Sequence, residues 1–280
     1  MKNNSGISHP MGARIAAWSV LLLITLWAIL PILWSLSASF KTPLALYTGG
    51  FLPDNPTLDN YGRVLTSQGF PTYLFNSLFL ALVSTAITLF VSVLAAYGFA
   101  RYAFRWRHIL LLFILIPRIL PRASLIVPLY DLVESLNLLD TYTVLIITYT
   151  ATAIPMATWI LIGFFQAVPI ELEEAAAIDG ASIWQRIWKV VVPISLPGMV
   201  TAGILSLREA WNEFPFVLAF TTSSEMRSLP YQLFLMRDSM GITDWPLINA
   251  FTITTIVPIL FLYLLFERQI VTGLTSGAVK

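Results

Sequence analysis

The chain has 280 residues, 57% of them hydrophobic and 11% charged, with a mean hydropathy of +0.78. A soluble domain carries about 25% charged residues, so a water-soluble globule is excluded. The net charge of +1 says nothing about nucleic acid, and no basic tract suggests it. The absence of cysteine excludes disulfides and thiol chemistry, and two histidines (His9, His108) are too few for a His-based metal site.

A hydrocarbon core of about 30 Å needs about 20 mostly apolar residues per helix. Six stretches meet that measure, at residues 15–37, 73–100, 109–130, 141–165, 193–220 and 247–266. The expected architecture is all-α and polytopic, with six transmembrane helices. The first stretch follows Lys2 and Arg14, as a signal peptide would. Its apolar run exceeds the 7–15 residues of a signal core, and it holds Trp18, Trp27, Trp34 and Pro31. It reads as a retained helix.

The connection 41–71 is rich in Pro, Gly, Asn and Asp and reads as an ordered loop. The second span carries Ser84, Thr88, Ser92 and Ala96 at four-residue spacing, a face suited to close helix contact. A compact basic turn, RYAFRWRH (101–108), leads to the third span, which contains Pro117, Pro121 and Pro128 together with Arg118 and Arg122. After the short turn ESLNLLD (134–140), the fourth span is dense in hydroxyls: Thr143, Thr148, Thr150, Thr152 and Thr158, with Pro155 among them. Proline is tolerated at membrane depth where neighbouring helices or a wet cavity satisfy the freed carbonyls. A packed bundle and a bundle around a pathway both remain open.

Residues 171–193, ELEEAAAIDGASIWQRIWKVVVP, form a polar island. Acids at the start of a helix complement its macrodipole, and Pro169 suits the first turn. Ala175, Ala176 and Ala177 favour helix and project little, and Gly180 can end or bend it. Trp184, Ile187 and Trp188 then lead back to the membrane. The island reads as an elbow on one membrane face, or equally as an ordinary interfacial helix. In the last connection, 221–246, Tyr231, Phe234 and Trp245 read as loop packing.

Lys/Arg bias sets orientation. With both termini in the cytoplasm, that side holds Lys2, Arg14, Arg101, Arg105, Arg107, Arg186, Lys189, Arg268 and Lys280, nine against the four of Lys41, Arg63, Arg227 and Arg237. The elbow then lies inside the cell.

The spacing within the island narrows its meaning. Glu174-Ala175-Ala176, then Gly180, then Val190-Val191-Val192-Pro193 resembles the EAA loop of binding-protein-dependent ABC importer permeases. Val190 and Val192 stand where that pattern usually has Ile and Leu. TLDNY (57–61), NS (76–77), AAYGFAR (95–101), AWNEF (210–214) and GLTSGAVK (273–280) resemble the carbohydrate branch of the family, of the maltose-transporter type. The resemblance runs from about residue 14 to the end. It implies a type I importer permease fold, with a cytoplasmic N-terminus (1–14), a transmembrane domain (15–272) containing the EAA loop (169–193), and a C-terminal tail (273–280).

It further implies a coupling helix, carried by Glu173, Glu174, Ala175, Ala176, Asp179 and Gly180, that docks on a cytoplasmic ATPase. The tail residues Thr275, Ser276 and Gly277 would reach into the ATPase dimer. Implied partners are a second permease subunit, two ATPases that hold ATP and magnesium, an external solute-binding protein and a sugar-like solute. No cofactor or metal is expected on this chain, which sits in the cell (inner or plasma) membrane. It contains no GxxxxGK[ST], HExxH or GxSxG, so neither a P-loop of its own nor an enzyme active site is expected. An ion-gradient-driven carrier is the alternative, although such carriers show internal repeats and none is visible.

Within the spans, Arg118, Arg122 and Arg208 stand out. On a straight 1.5 Å rise, Arg118 lies roughly 15 Å and Arg122 roughly 20 Å from the inner end of the third span, and Arg208 roughly 22 Å past Pro193. A lipid-facing arginine at that depth costs at least about 2.5–3.5 kcal/mol, so each should face protein or water. Two roles compete. One is internal pairing, Arg208 with Glu209, Glu213 or Asp131. The other is a polar pathway lining made by Arg118, Arg122, Arg208, Trp211 and Asn212, where Arg208 and Asn212 share a helix face. Trp211 can also be read as an interfacial anchor.

Overall fold

The computed structural model describes residues 11–237 and 243–276, and among them every regular element is helical. In chain order these are α1 (Met11–Ser39), α2 (Pro43–Thr48), α3 (Asp59–Thr66), α4 (Phe70–Arg101), α5 (Arg107–Leu115), α6 (Arg122–Ser135) and α7 (Tyr142–Ala167). There follow α8 (Ile170–Ile178), α9 (Ile183–Arg186), α10 (Val192–Ile194), α11 (Leu196–Trp211), α12 (Pro215–Phe220), α13 (Leu229–Leu235) and α14 (Trp245–Ser276). Four helices are long and apolar enough to cross a membrane: α1, α4, α7 and, over Trp245–Phe266, α14. Two bent pairs bring the count to as many as six if each pair is one span.

The chain divides into two compact units. Of the described residues, the first comprises 11–66, 237 and 243–254. Its α1 is apolar on every side and exposed along nearly its whole length, Trp18 at 72% and Trp27 at 81%. A helix hydrophobic all round needs an apolar surrounding. Where α1 ends, the chain is tied down by polar contacts. Asn60 donates from Nδ2 to the carbonyls of Ser39 and Lys41, both at 2.9 Å, and the hydroxyls of Ser39 and Tyr61 meet at 2.7 Å. The Lys41 ammonium, 1% exposed, donates to the Gly50 carbonyl and lies 5.1 Å from the Trp34 ring centre. The connection 41–71 is thus ordered, as expected, but partly helical. Asp244 caps α14 through the Leu247 amide and pairs with Arg63 at 2.8 Å.

Of the described residues, the second unit comprises 67–236 and 255–276. Its centre is the mutual packing of α4, α7 and α11. The small face of α4 is what lets them approach: Ser84, Thr88, Ser92 and Ala96 are all 1% exposed or less. Around them Val93, Tyr97, Phe99, Ala157, Leu161, Phe165 and Ala202 form a continuous buried cluster. Hydroxyls reach across, Thr150 to the Ser84 carbonyl and Ser92 to the Ile154 carbonyl, both at 3.5 Å. Against Gly198, at the start of α11, a β-carbon would stand 2.4 Å from Cγ of Phe164 on α7. Gly198→Ala is therefore expected to force the two helices apart and to cost about 1–3 kcal/mol. The loss should appear as a lowered Tm of the detergent-solubilised complex, relieved in part by Phe164→Ala, which removes the two closest atoms.

Two of the expected straight spans are broken. Residues 107–118 and 122–135 meet at 97°, and 183–194 and 196–211 at 84°. The first bend follows from chemistry. After α5 a 3-10 turn, Ile116–Arg118, brings the chain to Pro121, which has no amide to donate and disfavours helix in the residue before it. The second follows a π-helical turn, Ile187–Val191, and lies between Pro193 and Pro197. A third interruption, at residues 212–214, separates α11 from α12. Depths counted along an unbroken 1.5 Å rise therefore do not hold for Arg122 or Arg208, whereas Arg118 closes the arm before the first bend.

Candidate functional site

The elbow is built by two capping devices in succession. Helix α8 ends in a Schellman turn: the Ala181 amide donates to the Ala176 carbonyl at 2.9 Å and the Gly180 amide to the Ala177 carbonyl at 3.0 Å. That turn requires a left-handed residue, and Gly180 has φ +85°. A capping box opens α9, the Gln185 side chain accepting from the Ser182 amide at 2.8 Å and the Ser182 hydroxyl from the Gln185 amide at 3.3 Å. Beyond it Trp188 stacks on Phe90 of α4, with ring centres 6.0 Å apart, and Trp184 tilts against Trp188 at 5.6 Å.

The acids of α8 divide sharply. Glu174, Ala175, Asp179 and Gly180 are exposed and Ala176 is half-buried. Glu173, expected on the docking face with them, is instead 2% exposed and points into the bundle. Its Oε2 accepts from the Tyr97 hydroxyl at 2.8 Å and its Oε1 from Nε of Arg101 at 2.5 Å. Arg101 also donates to the Val168 carbonyl at 3.0 Å. Glu173 thus welds the elbow to the end of α4. Conversely Ile178, passed over in the sequence, is 87% exposed at the tip of α8. An isoleucine inside a polar island was the signal.

Farther along the same unit lies a cavity of about 570 Å³, walled by Arg118, Arg122, Met156, Ala157, Leu205, Ser206, Arg208, Glu209 and Asn212. The break before α6 falls between Arg118, at the end of one arm, and Arg122, at the start of the next, and both face α11. There Arg118 donates to both oxygens of Glu209, at 2.5 and 2.7 Å. Arg122 bridges Glu209 and Glu213. Glu213, 2% exposed, also accepts from the Phe216 amide at 3.2 Å and so caps α12. Arg208 stands on the cavity wall and, among the described residues, forms no ion pair. Of its expected acids, Glu209 and Glu213 are held by the other two arginines. Asn212 caps α11 by donating to the Arg208 carbonyl at 2.8 Å. Trp211, expected in the lining, is 3% exposed and not part of the wall.

At the opposite end of α7 from the elbow, polar clasps join the loops. Asp140 accepts from the amides of Thr222 and Ser223 at 3.0 and 3.2 Å and from the Ser223 hydroxyl at 3.1 Å. Burial raises its pKa, but these donors outweigh it and hold the carboxyl below the usual value. Asn76 donates to the carbonyls of Glu225 and Arg227, and Tyr142 donates to Asn76. Phe214 packs on Phe234 at 4.8 Å and on Tyr231 at 6.3 Å. Thr275 and Ser276 lie at the end of α14, and Gly277 lies outside the described residues.

Broken spans around a polar cavity, with a capped elbow at one end, define a membrane transport subunit. Residues 88–270 match the family described as binding-protein-dependent transport system inner membrane component. The chain belongs to that family, the permeases of binding-protein-dependent ABC importers, and is a multi-pass inner-membrane component rather than the catalyst. The sulfoquinovosyl glycerol transport system permease protein SmoH of Agrobacterium fabrum is 39% identical over 269 residues, covering 95% of this chain and 93% of its own. The trehalose transport system permease protein SugB of Mycobacterium tuberculosis is 37% identical over 273 residues, covering 96% and 100%. In fold, the chain is similar to one from the crystal structure of a bacterial ABC transporter involved in the import of the acidic polysaccharide alginate. The TM-score is 0.82 at 22% identity, over 93% of this chain and 98% of that one. Family membership sets aside the ion-gradient-driven alternative.

Proposed function

We propose that this chain forms half of the membrane pathway through which an ATP-driven importer carries a sugar, oligosaccharide or polyol. The other half is a second permease subunit. Two ATPase subunits, holding ATP and magnesium, bind on the cytoplasmic side, and an external binding protein delivers the solute. Relatives named for sulfoquinovosyl glycerol and trehalose transport support the carbohydrate class. The positive-inside bias supports cytoplasmic termini. The cavity bounded by Arg118, Arg122, Arg208 and Asn212 is the route, with Trp211 packed behind it.

The observation that carries this reading is the elbow. It presents Glu174, Ala175, Ile178, Asp179 and Gly180 outward, on a helix whose inward Glu173 is bonded to α4. A push on the exposed face therefore moves a central helix, and closure of the ATPases tilts the bundle between inward-open and outward-open states. Thr275, Ser276 and Gly277 add a second contact to the ATPases. Ile178→Glu and Gly180→Val are expected to lower binding-protein-stimulated ATP hydrolysis about tenfold, equivalent to ~1.4 kcal/mol of coupling, with membrane insertion intact. Normal stimulation in both variants contradicts the docking role. Topology has its own check. Single cysteines at Ser5, Ser223 and Ser276 should label from outside sealed cells only at Ser223. Outside labelling at Ser5 or Ser276 reverses the orientation.

A further inference from the structure

The charges around the cavity do not cancel. Arg118 and Arg122 are matched by Glu209 and Glu213, two cations against two anions locked in one ladder. Arg208, on the same wall, is exposed and has no ion-pair partner among the described residues. The Asn212 amide is turned to the Arg208 carbonyl, not to its guanidinium. An unpaired guanidinium within a membrane span is costly and is retained where a ligand or partner supplies the charge. Its planar fork fits a carboxylate, sulfonate or sulfate through two parallel hydrogen bonds.

Resting on the pathway reading above, we infer that the cavity is an anion-accepting subsite. It takes a sugar bearing a single carboxylate, sulfonate or sulfate group, with Arg208 as its counter-ion. The ladder makes the selection sharp in two ways. Glu209 is held by two guanidinium groups, so its charge does not repel the incoming anion. The same bonds spend Arg118 and Arg122, so one anionic group is accepted and a polyanion gains nothing more. Met156, Ala157 and Leu205 supply the apolar wall for the ring face, as in small-molecule sites generally.

The test titrates the purified complex of both permeases and both ATPases, without binding protein, following tryptophan fluorescence beside Trp211. The probes are methyl glucoside, methyl glucuronoside, glucose 6-sulfate and inorganic sulfate. The two anionic sugars are expected to bind about tenfold tighter than methyl glucoside. Arg208→Ala should abolish the difference and Arg208→Lys should keep part of it, while sulfate alone competes weakly. Carboxylate and sulfate arms separate the two anion types. Equal binding of neutral and anionic sugars by the wild type, or a preference that survives Arg208→Ala, overturns the inference. So does a lowered Tm in Arg208→Ala without anion preference in the wild type, which assigns Arg208 to a carboxylate of the second permease. Ser206→Trp, which fills the cavity, separates this inference from its foundation. If that variant imports the complex's own solute normally, the pathway reading fails. If import stops in that variant while the wild-type complex binds neutral and anionic sugars alike, only the anion inference fails.

Discussion

Replacing Glu173 by alanine is expected to be among the most damaging single changes in the chain. It leaves the Arg101 guanidinium, whose side chain is 10% exposed, without its carboxylate, and removes the acceptor of the Tyr97 hydroxyl. Breaking a buried pair from one side costs about 3–5 kcal/mol. Glu173→Gln keeps an acceptor for Tyr97 and should lose less, and Tyr97→Phe, which deletes one hydrogen bond, about 1 kcal/mol. Because the weld joins the elbow to α4, the alanine variant should also uncouple ATP hydrolysis from transport in whatever complex survives. Thermal unfolding of solubilised complexes, read beside stimulated ATPase activity, checks both. An unchanged Tm in Glu173→Ala means the carboxylate is not buried in the assembled protein.

The second large effect is expected at Glu213. Alanine there frees one end of the Arg122 bridge and removes the cap on the Phe216 amide. Arg122 is one-third exposed, and solvent screens part of the loss, so about 3 kcal/mol is expected, the lower end for a broken buried pair. Glu213→Ala with Arg122→Ala should cost less than the sum of the two, because each single change strands a charge that the double change removes. Strict additivity in a double-mutant cycle on Tm contradicts the bridge.

The positions of five spans, the elbow and its Gly180 turn were legible because they depend on local signals: apolar run length, helix-forming alanines, and a glycine where only φ > 0 closes the turn. The fifth span, expected at 193–220, instead joins 183–194 to 196–211. What stayed hidden depends on groups brought together by the fold. Pro117 and Pro121 marked where a helix breaks but not the 97° bend that follows, and the 84° bend between Pro193 and Pro197 went unmarked. On either side of the first bend, Arg118 and Arg122 meet carboxylates some 90 positions away in the chain. No spacing rule pairs residues across that separation, and so Arg208, adjacent to Glu209, was the natural candidate for the pair. In the same way Glu173 and Glu174 are neighbours in sequence, yet a helical step of about 100° puts one against α4 and the other outside. Only the position of α4 decides which. Trp211 faces inward for a similar reason, since the helix side that packs is set by α4 and α7.

The most direct measurement of the central claim, ATP-driven import coupled through the elbow, is solute uptake by proteoliposomes holding the complete complex, with binding protein outside and ATP enclosed. Accumulation should require enclosed ATP, should be indifferent to an imposed proton or sodium gradient, and should fall together with stimulated hydrolysis when Ile178→Glu is introduced at the elbow. Uptake that proceeds without ATP on an ion gradient, or that persists at the wild-type rate in Ile178→Glu, would contradict it.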